Sequence, residues 1–146
     1  MTARDQLSGL PLREPSTWLA LALSGLFVLL GLLFILAPGA GGALFGLPVP
    51  ASERALLLYP VAIGLRDLAF GLYLLILSFT AARRTLALIF AATLVIPLGD
   101  MLIVAAARGM SSPMHLLLHG LSALVMAGAS LWLFRQASHD TRGGPS

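Results

Sequence analysis

The sequence predicts an all-α fold, an integral membrane four-helix transmembrane bundle with both termini cytoplasmic. Three observations carry that reading. Of 146 residues, 58% are hydrophobic and only 10% are charged, whereas a soluble domain carries about 25% charged residues. Four apolar segments are each long enough to cross about 30 Å of hydrocarbon as a helix, and short breaks rich in Gly, Pro or Arg separate them. The arginines are also uneven: Arg4, Arg13, Arg83, Arg84, Arg135 and Arg142 fall on one side of the four spans, and only Arg54 and Arg108 on the other. Positive residues stay cytoplasmic, so the first side faces inward.

The same composition excludes other classes. There is no cysteine, which removes disulfides and thiolate chemistry. The net charge of +3 comes from arginines alone, with no lysine and no basic run beyond Arg83-Arg84. Membrane topology accounts for that pattern, and no nucleic-acid partner is expected.

Residues 1–17 contain Arg4, Asp5, Arg13 and Glu14 with two prolines and read as a polar arm. The first span covers 18–37, with Trp18 placed as an interfacial anchor. A cleaved signal peptide is the alternative, because small residues follow from Pro38 to Gly42, but the apolar run exceeds the usual core of about 7–15 residues. Residues 38–52 are rich in Gly and Pro yet apolar, as in Ala43-Leu44-Phe45-Gly46-Leu47-Pro48. Such a loop lies in the interface or folds over the mouth of the bundle. Ser52 offers an N-cap for the second span, 53–79. A polar turn, Thr80 to Thr85, leads to the third span, 86–107. Pro97 cannot donate to the Thr93 carbonyl and should kink this helix just before Asp100. Arg108 to Pro113 reads as stop, loop and restart, with Ser112 as N-cap and Pro113 at the first helical position. The fourth span is 113–134, which closes a transmembrane domain of 18–135. The tail 136–146 is polar and expected to be disordered.

Polar residues inside these spans are the candidates for function. Arg66 and Asp67 sit mid-span between Tyr59 and Tyr73, and an intramembrane charge costs roughly 2.5–3.5 kcal/mol on insertion scales. Helical rise puts Arg66 and Asp67 roughly 15 Å, Asp100 and His119 about 10 Å, and His115 and Tyr59 about one turn from the outer surface. All six therefore share the outer half, beneath the first loop. Periodicity places Tyr59, Arg66 and Tyr73 on one helical face, Thr93, Pro97 and Asp100 on another, and His115, His119, Ser122 and Met126 on a third. Asp67 points about 100° away from Arg66, so these neighbours should meet different partners. Ala20, Ser24, Gly31, Gly64 and Gly71 are small enough for close helix packing.

Arg66, Asp67 and Asp100 together carry one excess negative charge. Burial requires that it be offset by a proton on an aspartate, a cationic histidine or a bound cation. A carboxylate and a histidine in a dry pocket suit acid–base chemistry. The expected site therefore has Asp100 and His119 exchanging a proton, Asp67 setting their charge, and Arg66, Tyr59 and His115 binding a small lipophilic molecule. Whether it is an enzyme stays open. One alternative is a structural ion network in a non-catalytic subunit or carrier docked to a redox or secretion partner. Another is a proton path, which the apolar inner half disfavours. His115 and His119 have a spacing that could ligate a metal with Asp100, but no glutamate adjoins them, so neither metal nor other cofactor is expected. Flat apolar flanks would suit a homo-oligomer in the lipid bilayer.

The run Gly64-x-Arg66-Asp67-x-x-x-Gly71-Leu72, the Phe45-Gly46-Leu47-Pro48 loop, Gly99-Asp100 and the His115/His119 pair resemble one family of small bacterial and fungal membrane proteins, domain of unknown function 4267. That family is in turn similar to the wider DoxX-like group. The similarity covers roughly residues 18–134. It implies four helices and no established activity; the expected location is the bacterial inner (plasma) membrane. DoxX-like relatives are associated with respiratory or quinone-linked oxidoreductases, yet no haem or flavin motif accompanies the resemblance here.

Overall fold

The structure, a computed structural model, is described for residues 14–50 and 52–142. It comprises α1 (Pro15–Leu36), α2 (Pro38–Phe45), α3 (Leu58–Thr80), α4 (Arg83–Thr93), α5 (Val95–Arg108), a 3-10 turn (Gly109–Ser111) and α6 (Pro113–Arg142). No strand occurs among the described residues. Four helical units are long and apolar enough to cross a membrane: Pro15–Leu36, Leu58–Thr80, Arg83–Ser111 and Pro113–His139. The all-α, four-span expectation holds.

The elements differ from the sequence reading in five places. First, α1 starts at Pro15, inside the expected arm, because a proline at the first helical position gives up no hydrogen bond. The rest of that arm, 1–13, lies outside the described residues. Second, the first loop contains a helix, α2. Its glycines weaken helix propensity, but they let it lie flat on the bundle. A Cβ on Gly41 would stand 2.8 Å from the Phe34 ring. Gly46 then ends α2 in the left-handed conformation (φ 104°), where glycine is favoured. Third, Ser52 caps nothing: α3 begins at Leu58 without a side-chain cap. The intervening turns close on their own backbone, as in Glu53 N to Pro50 O (3.0 Å) and Leu56 N to Glu53 O (2.9 Å). Fourth, Arg83 and Arg84 begin α4 rather than forming a turn, and Arg83 pairs with Glu14, which ties the start of α4 to the start of α1. Fifth, α6 runs on to Arg142, so the expected disordered tail is helical through that point. Between Gln136 and Arg142 no glycine or proline occurs to end it. The break in the third span falls at Leu94, between α4 and α5, where the missing N–H of Pro97 leaves the ladder open.

The helices pack as two hairpins. The most extensive contact is α1 with α3, followed by α6 with α4 and α5, whereas α1 and α6 barely approach each other. The α1–α3 seam is made of backbone on backbone. A Cβ on Gly64 would meet Gly31 O at 2.7 Å, and one on Gly71 would meet Val28 N at 2.8 Å. Such contact needs glycine on both helices, because helix association in lipid depends on close van der Waals fit. Two apolar clusters join the hairpins. One contains Leu23, Leu74, Leu86, Phe90, Met126 and Leu133, and the other contains Phe34, Phe45 and Val104 beneath α2.

Candidate functional site

A cavity of about 420 Å³ is walled by both hairpins and reached by residues of each cluster. From α1 it takes Leu23, Leu26, Phe27, Leu30 and Phe34, and from α2 Leu44 and Phe45. From α3 it takes Ile63, Arg66 and Asp67, from α5 Ile96, Pro97 and Asp100, and from α6 Leu118, His119, Leu121, Ser122, Val125 and Met126. Leu26, Leu121 and Val125 line it and are also exposed, so the cavity opens sideways between α1 and α6.

Charge is concentrated on one wall. Arg66 donates through Nε to Asp67 Oδ1 (3.0 Å) and through Nη1 and Nη2 to the two oxygens of Asp100 (3.2 Å each). A forked guanidinium–carboxylate pair fixes both distance and orientation, so Arg66 fastens α3 to α5. The expectation that Arg66 and Asp67 meet different partners misses one thing: the long Arg66 side chain folds back far enough to reach its own neighbour. Asp67 and Asp100 are only 6% and 8% exposed. Charges withdrawn that far from water depend on one another, because the cost of removing one partner is large.

The histidines turn elsewhere. His119 directs Nε2 to Phe45 O (3.0 Å), with its ring edge-on to the Phe45 ring. His115 directs Nε2 to Ala43 O (3.0 Å) and Nδ1 to Ser112 Oγ (2.7 Å). A carbonyl only accepts, so both Nε2 atoms donate, and Nδ1 of a neutral imidazole at His115 can accept a hydrogen bond from the Ser112 hydroxyl. Arg108 donates through Nη1 to Gly46 O (3.0 Å). These three donors meet carbonyls at the C-terminal end of α2, where a helix leaves its last carbonyls unsatisfied and carries partial negative charge. Together they latch α2 over the cavity.

The six expected site residues therefore separate. Arg66, Asp67, Asp100 and His119 line one cavity. No hydrogen bond joins Asp100 to His119, which gives its Nε2 to the lid. His115 lies outside the cavity wall and serves the latch. Tyr59 and Tyr73 are 69% and 62% exposed and stand away from it. Among the described residues no three His, Cys, Asp or Glu side chains come close enough to share a metal ion. The sequence reading missed Arg108 as a latch residue, because its position before Gly109 signals only a helix end.

A small multi-pass membrane protein whose spans are tied by an Arg66–Asp67–Asp100 ion trio is the class that fold and site define. The chain belongs to the family described as domain of unknown function (DUF4267), whose profile matches residues 24–133. No match was found among curated proteins or among solved structures.

Proposed function

We propose that this protein binds a small lipophilic molecule in the cavity beneath α2, admitted from the bilayer between α1 and α6. The observation that carries the reading is the cavity itself, about 420 Å³, mostly apolar, with a few polar groups gathered on one wall. Ligand sites commonly have that size and make-up. In this reading Asp67, Asp100 and His119 face the ligand's polar end, and Arg66 holds the carboxylates in place. Binding accounts for the geometry, and an Asp100–His119 proton exchange would need the ligand or a water to bridge them. The arginine bias supports a topology with both termini in the cytoplasm and the cavity in the outer half of the plasma membrane.

A second reading is favoured by the forked Arg66–Asp100 pair, which is what a purely structural lock between α3 and α5 requires. It would suit a DoxX-like subunit or carrier that docks with a redox partner or with copies of itself. The two readings separate on extraction of purified protein with organic solvent and mass spectrometry of what it retained. The pocket reading expects a defined lipophile in wild-type protein, lost in the cavity-filling variants Met126→Trp and Ser122→Leu. Identical extracts from wild type and both folded variants would leave only the structural lock.

A further inference from the structure

We infer that the ligand is a lipophilic ammonium compound, an aliphatic body with a protonated amine, rather than an acid or an uncharged alcohol. This rests on the pocket reading above and adds the ligand's chemistry. The argument is an inventory of donors and acceptors on the cavity wall. Arg66 is the wall's cation, and three of its N–H groups are already taken by Asp67 and Asp100 out of the five that a guanidinium has. Two N–H groups of Arg66 remain, and the other polar atoms of the wall accept. Asp67 Oδ2 has no hydrogen-bond partner among the described residues, although Asp67 is only 6% exposed and lines the cavity. His119 commits Nε2 to Phe45 O, which leaves Nδ1 of the neutral ring as a bare acceptor. Ser122 donates its hydroxyl hydrogen bond to Leu118 O (2.9 Å) and keeps its lone pairs.

Charge points the same way. Two carboxylates face one guanidinium, and the histidines do not pair with either carboxylate. With both carboxylates ionised the wall carries a net negative charge in surroundings of low dielectric, where it is poorly screened, and a bound cation is one way to offset it. An incoming ammonium restores neutrality and supplies the missing N–H donors. An alcohol supplies a donor without the charge. A carboxylate adds repulsion from Asp67 and Asp100 and finds three of the guanidinium's five N–H groups taken.

The test uses the full-length protein in nanodiscs of zwitterionic lipid. Three aliphatic diazirine photoprobes of equal length, ending in an ammonium, a hydroxyl or a carboxylate, are crosslinked and the labelled peptides mapped. Labelling at cavity residues Phe27, Ile63 and Met126 is normalised to that at Leu124, which faces lipid. The ammonium probe should label the cavity roughly tenfold or more above the carboxylate probe, with the hydroxyl between them. Asp67→Asn should bring the three close to parity. Where that variant does not fold, excess unlabelled decylamine, but not decanoate, should still abolish labelling of wild type. Equal labelling by all three probes, or a carboxylate preference, would overturn the ammonium assignment and leave the pocket standing. Labelling of Leu124 without any cavity labelling would overturn both.

Discussion

Arg66 decides the electrostatics of the site, because both buried carboxylates lean on it. Removing a partner from a buried pair costs about 3–5 kcal/mol, whereas replacing the whole set with neutral groups is often tolerated. Arg66→Met should therefore destabilise the protein by about that amount in denaturant titrations in detergent, and adding Asp67→Asn and Asp100→Asn should recover most of the loss. A triple variant less stable than Arg66→Met alone would contradict this. The ion trio was legible in the sequence because intramembrane charge is expensive and must find compensation. The tyrosines were not. A seven-residue repeat says that Tyr59, Arg66 and Tyr73 share a face, but not how far that face rotates toward lipid. The histidines were half legible: their depth was visible, but their partners are the backbone carbonyls of Ala43 and Phe45, which no residue type marks.

Each helix is placed by what it lacks as much as by what it carries. Gly64→Ala should cost about 1–3 kcal/mol, because the new methyl would meet Gly31 O at 2.7 Å with no flexible side chain to yield. Gly25→Ala, with nothing within 4 Å, should cost nothing measurable beyond about 0.5 kcal/mol. Thermal unfolding of the two variants side by side checks the pair. The lid, α2, hangs on Arg108, His115 and His119. Hydrogen exchange of its backbone amides should speed up roughly tenfold in Arg108→Ala, since a charged donor is lost, while exchange in α1 stays as in wild type. Unchanged exchange in α2 would mean that the latch holds nothing. That Gly31, Gly64 and Gly71 permit close packing could be read from the sequence, but not that they meet in one seam between α1 and α3. The helical character of α2 could not, because its glycines argue for a loop until the burial of Gly41 against Phe34 is known.

At the scale of the whole molecule, two tight hairpins meet loosely, and the space left between them is the cavity. Span number followed from length and hydropathy, which is why the four-helix outline was legible. The pairing of spans and the gap between α1 and α6 depend on side-chain fit that one sequence does not reveal. Reporter fusions at each end should place both termini in the cytoplasm, and opposite sides would contradict a four-span path. The account depends most on Arg66 drawing together carboxylates from two spans at the cavity wall. Rotational-echo solid-state NMR in bilayers, with 15N in arginine guanidinium groups and 13C in aspartate carboxyls, measures this directly. The expected result is strong dephasing of two carboxyl signals at about 4 Å from nitrogen, both abolished by Arg66→Met, since hydrogen-bonded pairs hold that separation. Dephasing of neither carboxyl, or dephasing that survives Arg66→Met, would contradict it.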